Sequence, residues 1–142
     1  MSTTADSTNT ATMLGFERGM VVQEIGYAED SDDQFRRLIE GTIGSDLVYE
    51  DHEDIVNMVV VWFREDDGDL SDTLVDASGS LGEGGTIVLL TPKSGRPGHV
   101  DYSDIGGSAV TAGFSATEPV SATRAWSATT LLSPTAARSG RH

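Results

Sequence analysis

The sequence predicts an α/β domain of three layers, a mostly parallel sheet covered by helices and closed by a C-terminal antiparallel strand pair. Three observations predict it. The runs at 58–63 (M-V-V-V-W-F) and 86–90 (T-I-V-L-L) are continuously apolar and β-branched, as strands covered on both faces are. Strand-like and helix-like stretches alternate four times, which argues for a parallel sheet with helices on both faces. The last two strand-like runs are joined by 121–124 alone, too short for a parallel crossover, so that pair must be antiparallel.

In order along the chain, residues 20–25 (M-V-V-Q-E-I) read as a first strand between Gly19 and Gly26. After an acidic loop at 29–33, Phe35, Leu38, Ile39 and Ile43 fall at helical spacing, with Arg36, Arg37 and Glu40 outward and Gly44 as a candidate cap. A short strand is expected at 47–49 and the strongest one at 58–63. The turn at 65–69 precedes a helix capped by Asp69, with Leu70, Leu74, Val75 and Leu81 inward and Gly84-Gly85 at its end. The buried strand 86–90 follows, then the loop 91–99 and a weak helix at 103–112, undermined by Gly106-Gly107. Strands at 114–120 and 125–132 complete the count, and Pro119 places part of the former at a sheet edge. No internal repeat is found. The layout is Rossmann-like.

The chain has 142 residues, of which 37% are hydrophobic, enough for one core. Residues 1–13 are small and polar without apolar periodicity, and 133–142 are similar; both are expected to be tails flanking a single domain at 14–132. There is no cysteine, which excludes disulfides, zinc thiolates and thiol catalysis. No apolar stretch resembles a signal peptide or reaches membrane-spanning length, so a cytoplasmic protein is expected. The net charge is −14, with 18 acidic against three basic side chains between 24 and 83 and five basic against three acidic ones from 84 onward. Such a charge disfavours nucleic acid and anionic membranes as partners.

The runs G-M-V-V-Q-E-I-G-Y at 19–27 and L-L-T-P-K-S-G-R-P-G-H-V at 89–100, with A-W-S around Trp126, together resemble a family of small acidic, largely actinobacterial proteins, the domain of unknown function numbered 3052. The resemblance extends over 15–134, and its Thr-Pro-Lys segment is the most specific part. It implies no activity, since the family carries none. In the family pattern the tryptophan is preceded by Asp and followed by Ser-Gly; Ala125 and Ala128 stand at those places here, so no role for that carboxylate or glycine carries over. The order helix, Gly-Gly, strand, proline, helix, antiparallel strands is also similar in layout to class I methyltransferases.

A nucleotide-type site needs glycines after the first strand, so that backbone amides can approach the ligand. Gly26-Tyr27-Ala28-Glu29-Asp30 offers one glycine and two carboxylates, which disfavours NAD or S-adenosylmethionine in the usual place, and no Walker motif exists. The loop 91–99 concentrates positive charge: Lys93, the only lysine, with Arg96 and His99, at the end of a buried strand. Thr91, Lys93, Arg96, His99, Trp126 and Ser127 are therefore the candidate ligand-binding residues, with Lys93 a point charge and Arg96 a two-pronged clamp for an acidic group. The competing structural role for Lys93 and Arg96 is to neutralise carboxylates on neighbouring loops. Acidic turns at 29–33, 50–54 and 65–69 would share one edge of a parallel sheet; their spacing matches no calcium loop, and a solvated rim is expected rather than a metal site. A receiver domain would take its Thr and Lys from different strands, whereas Thr91 and Lys93 share one. His52 reads as a surface histidine, Trp62 as core, and Trp126 as a wall of the Lys93 pocket or as ordinary core. Ser94, Ser103 and Ser127 lack a nucleophile elbow.

These readings point to a non-catalytic binding or regulatory protein that needs no cofactor and recognises a protein partner or small acidic ligand through the Lys93 loop. The alternative is an enzyme of methyltransferase-like ancestry with an atypical cofactor site.

Overall fold

Alternation along the strand 56–62 explains the architecture, because its side chains feed two separate cores. Met58, Val60 and Trp62 belong to one apolar cluster, Val59 and Val61 to the other, and all five are buried. The structure, a computed structural model, describes residues 10–133. Its elements run β1 (Val22–Ile25), α1 (Asp33–Ile43), β2 (Val56–Trp62), α2 (Leu70–Ala77), β3 (Leu81–Pro92), α3 (Tyr102–Thr111), β4 (Ser115–Ala116), β5 (Val120–Ser121) and β6 (Trp126–Leu132). The sheet order is β1-β2-β3-β6-β4, with β5 also on β6. Strands β1, β2 and β3 are parallel and β6 runs antiparallel to β3. Helix α1 packs Phe35, Ile39 and Ile43 onto one face, while α2 and α3 cover the other with Leu70, Leu74, Ala77, Ile105 and Ala109. The fold is a three-layer, mostly parallel α/β sheet with antiparallel strands at its C-terminal side, as the sequence predicts.

Local chemistry sets the element ends. Asp32 accepts from the Phe35 amide to start α1, and Gly44, in the left-handed region at φ 84°, closes it by donating to the Glu40 carbonyl. Asp69 starts α2 by accepting from the Asp72 amide.

Several elements depart from expectation. The strand expected at 47–49 is one bridge, Val48 to Gln23, because the chain turns at Tyr49. Val75 is exposed: residues 70, 74 and 77 form the inward stripe of α2, and position 75 lies off it. Leu81 and the Gly84-Gly85 pair belong to β3, not to the helix. There, five residue steps on β3 (Leu81 to Thr86) face two on β2 (Val56 to Met58), a bulge whose Gly85 has no room for a side chain beside the Asn57 carbonyl. The single strand expected at 114–120 is two short strands around Pro119, which lacks the N–H needed to continue the ladder. Of the expected tails, 1–9 and 134–142 lie outside the described residues. Residues 10–13 are helical, with Ala11 buried against the α1-side core, so the packed unit starts earlier than 14.

Candidate functional site

Because β1, β2 and β3 are parallel, the segments that follow them meet at one edge, and the start of antiparallel β6 joins them there. The lysine loop and the acidic turns at 29–33 and 65–69 share this edge: the Glu65 amide donates to the Gly98 carbonyl, and the Trp126 indole donates to the Asp30 carbonyl at 3.2 Å.

Arg64 stands at the centre. Its guanidinium donates to the Gly26 carbonyl (2.8 Å) and the Trp62 carbonyl (3.2 Å), bridging the ends of β1 and β2. It grips the Asp30 carboxylate with two nitrogens, Nε at 3.1 Å and Nη2, and reaches Asp67 at 3.3 Å. Its charge lies 5.2 Å from the centre of the Trp126 ring, which meets Trp62 edge-on at 4.9 Å. The Arg64 hydrogen bond holds the Asp30 carboxyl below its usual range, against a smaller opposing effect of burial. Burial pulls the Arg64 guanidinium down, but the bonds from Asp30 and Asp67 outweigh it and hold its pKa above the ordinary value.

A second polar cluster lies on the α1 side. The Glu24 carboxylate, wholly buried, accepts from Trp62 Nε1 (2.8 Å) and Arg36 Nε (2.7 Å) through the same oxygen, Oε2. Arg36 also donates to the Tyr49 hydroxyl (3.0 Å) and lies 4.2 Å from the Tyr27 ring centre. Asp33 accepts from the Tyr27 hydroxyl at 2.8 Å; that bond lowers the Asp33 carboxyl and raises the Tyr27 phenol.

The six residues singled out from the sequence are not brought to one place. Thr91 is buried in β3, opposite Ser127 of β6. By strand alternation these two belong to the α2/α3 side, whereas Trp126 is in the α1-side core. Lys93 donates to the Ser121 hydroxyl of β5 at 2.6 Å. His99 faces inward through Nδ1, 3.0 Å from the Pro92 carbonyl, and outward through Nε2, 3.5 Å from the Asp101 carboxylate. Arg96 goes elsewhere: with Asp30, Pro92, Pro97, Ala125 and Trp126 it lines a cavity of about 260 Å³. Neither Lys93 nor Arg96 forms an ion pair among the described residues, so the neutralising role weighed for them has no partner there. Arg37 and Arg124 line an adjoining groove between α1 and the 122–124 turn.

Five acids of the acidic turns hold local structure. Asp32 and Asp69 cap helices, Asp30 and Asp67 hold Arg64, and Glu50 accepts from the Gly26 amide at 3.2 Å. Among the described residues no three Asp, Glu or His side chains come together as metal ligands. His52 is half-buried, with Nε2 enclosed, rather than a free surface residue. Sequence reasoning missed Arg64 and Glu24. The available signals were an arginine that is the only basic residue between Arg37 and Lys93, and a carboxylate inside an apolar strand.

The family model described as Protein of unknown function (DUF3052) matches residues 11–135. Uncharacterized proteins of Mycobacterium tuberculosis and Mycobacterium bovis are each 44% identical to this chain over 128 residues, covering 90% of it and 80% of their own length. Among solved structures, the fold is similar to a SAM dependent methyltransferase from Aquifex aeolicus (TM-score 0.60, 12% identity, 89% of each chain covered). It is also similar to the magnesium protoporphyrin IX methyltransferase of Synechocystis with bound SAM (TM-score 0.56, 10% identity, 93% of this chain and 78% of that one). A methyltransferase from Pyrococcus furiosus gives a TM-score of 0.55 at 14% identity, over 89% of this chain and 81% of that one. At such identities the likeness is one of fold alone.

Proposed function

This chain belongs to the DUF3052 family of proteins of unknown function, and from that premise we propose that it is a non-catalytic binding protein that recognises an acidic group at the C-terminal edge of its sheet. One observation carries the reading: Arg96, on a loop leaving the buried strand β3, lines a cavity floored by Trp126 and has no ion-pair partner among the described residues. A guanidinium beside a rigid aromatic wall is suited to clamping a carboxylate or phosphate with two parallel hydrogen bonds. The one carboxylate on the cavity wall, Asp30, is already held by Arg64 and does not compete for Arg96. Arg124 and Arg37, in the adjoining groove, extend the positive field towards a partner larger than a single acid. Lys93, directed to Ser121, contributes from the β5 side.

The second reading, an enzyme of methyltransferase-like ancestry, draws on the solved structures of similar fold. The residues at the switch point between β1 and β2 do not fit S-adenosylmethionine in the place that fold offers. The Gly26 amide is engaged by Glu50, and the Gly26 carbonyl by Arg64. A side chain at Gly26 would stand 2.3 Å from the Trp62 carbonyl oxygen, so this glycine lets two strand ends approach rather than opening room for a ligand. Arg64 fills the crevice with the protein's own cation. No catalytic step is therefore assigned.

The two readings separate in one set of titrations. Citrate, inorganic phosphate and a Glu-rich peptide are expected to shift amide resonances at 95, 96, 98 and 124–126, and the Lys93→Ala/Arg96→Ala double variant should bind the best of them at least tenfold more weakly with its melting temperature nearly unchanged. Tenfold corresponds to about 1.4 kcal/mol. S-adenosylmethionine and S-adenosylhomocysteine should leave the melting temperature where it is; a rise of several degrees would transfer support to the enzyme reading.

A further inference from the structure

The Arg96 cavity offers an anion a charge but few hydrogen-bond donors. Pro92 and Pro97, two of its six lining residues, have no N–H to give. The Ala125 and Trp126 amides both donate to Thr123 Oγ1, at 3.1 and 3.0 Å. The Arg96 amide donates to the Lys93 carbonyl, the Trp126 indole to the Asp30 carbonyl, and the Asp30 amide serves its own carboxylate. Lys93 does not line the cavity, and its ammonium is directed to Ser121. The guanidinium of Arg96, an exposed residue with no ion-pair partner among the described residues, is therefore the donor that a ligand meets.

A guanidinium fork donates two parallel N–H bonds and so satisfies both oxygens of one carboxylate. A phosphate would bring at least one oxygen more, and further negative charge, to a site with no donor left for it. It would also face Asp30, which Arg64 holds ionised. The donor set fits one carboxylate.

The rest of the lining is apolar and stiff. Proline and alanine have no side-chain rotamers to lose. Pro92 ends β3 in register with Trp126, and the almost fully buried Trp126 is fixed by its indole N–H and by the Trp62 ring at 4.9 Å. Such walls receive an apolar body with little left to order. The volume of about 260 Å³ equals that of about nine waters at ~30 Å³ each, room for one ring with a short acid arm.

We propose that the Arg96 cavity takes a small monocarboxylate with a compact apolar body, of the class of phenylacetate, its carboxylate on the Arg96 fork and its ring against Pro97 and Ala125. The proposal rests on the acidic-group reading of this cavity and narrows it from acids in general to apolar monocarboxylates.

The test is a set of calorimetric and NMR titrations of the full chain at constant ionic strength. The probes are phenylacetate, acetate (the acid without the body), benzyl alcohol (the body without the acid) and phenyl phosphate. Phenylacetate is expected to bind saturably, with amide shifts centred on 96, 98, 125 and 126. The other three should each bind more weakly by about tenfold or more, the loss of a charge-assisted hydrogen bond or of the apolar body. Arg96→Ala should abolish phenylacetate binding. Arg96→Lys, which keeps the charge and loses the fork, should weaken it by about fivefold or more with the melting temperature nearly unchanged. Binding that depends on Arg96 but is as tight for acetate or phenyl phosphate, or as tight in Arg96→Lys, would overturn the narrowing and leave the acidic-group reading standing. If no anion binds in an Arg96-dependent way, both fall together.

Discussion

Arg64 joins what the sheet topology separates. It leaves β2 and takes hold of the carbonyl that ends β1, of Asp30 in the first acidic turn and of the Trp126 face on β6. A lysine there would keep the charge and lose the fork, because only a guanidinium offers enough donors in one plane. The pH dependence belongs to Asp30. Its carboxyl, ordinarily near 3.8, is held lower in the folded protein by Arg64, so the unfolded chain takes up that proton more readily. The ionised pair therefore stabilises the fold fully above about pH 5, and its contribution is lost as the pH falls through about 4 towards the depressed folded value. Asp30→Asn removes the titration. In urea unfolding, wild type should exceed the variant in stability at pH 7, and the gap should close as the pH is lowered to 3; a gap independent of pH would mean that Asp30 acts through neutral hydrogen bonding alone.

The elements differ in how much of each is held by burial. Strand β3 lies between β2 and β6, and Leu89 at its centre is fully enclosed beneath α2 and α3. Strand β5 is two residues long, and its Val120 is only partly covered. Leu89→Ala should destabilise by about 2–5 kcal/mol through the cavity it leaves, and Val120→Ala by less than about 1.5 kcal/mol, read from denaturant midpoints at constant slope. Comparable losses would mean that the β4–β5 side is as firmly packed as the centre. The same contrast governs which elements were legible. Runs 58–63 and 86–90 are apolar enough to announce buried strands, and Phe35, Ile39 and Ile43 carry a period that only a helix explains. The bulge at 81–86 was illegible because Gly-Gly ends a helix as readily as it bends a strand; the choice depends on the neighbouring Asn57 carbonyl, 57 being far from 85 in sequence.

For the whole molecule, the charge of −14 is the dominant long-range term. Most carboxylates outside the Arg36 and Arg64 clusters face solvent, where they repel one another over about a Debye length, ~10 Å at 0.1 M salt. Raising sodium chloride from about 10 to 200 mM should therefore raise the melting temperature, because screening relieves this self-repulsion more than it weakens the few ion pairs. A fall in melting temperature over that range would show that the Arg64 and Arg36 networks outweigh it. The field is also uneven: Arg96 lines one cavity beside Asp30, and Arg37 and Arg124 line a groove beside Asp32.

The sequence by itself determined the fold class, the alternation of strands and helices, the caps at Asp69 and Gly44, and the placing of the lysine loop beside the acidic turns, because these follow from periodicity, local sterics and parallel pairing. Only the tertiary structure decided which charges are available. The sequence marks Arg96, beside Lys93 and His99, and passes over Arg64; the fold locks Arg64 between three segments of the chain and leaves Arg96 lining a cavity without an ion-pair partner among the described residues. Likewise Glu24 reads as one more acid until Trp62, from β2, and Arg36, from α1, close over one of its oxygens and leave the other without a donor. Hydrogen-bond partners far apart along the chain are fixed by packing, and no local pattern encodes them.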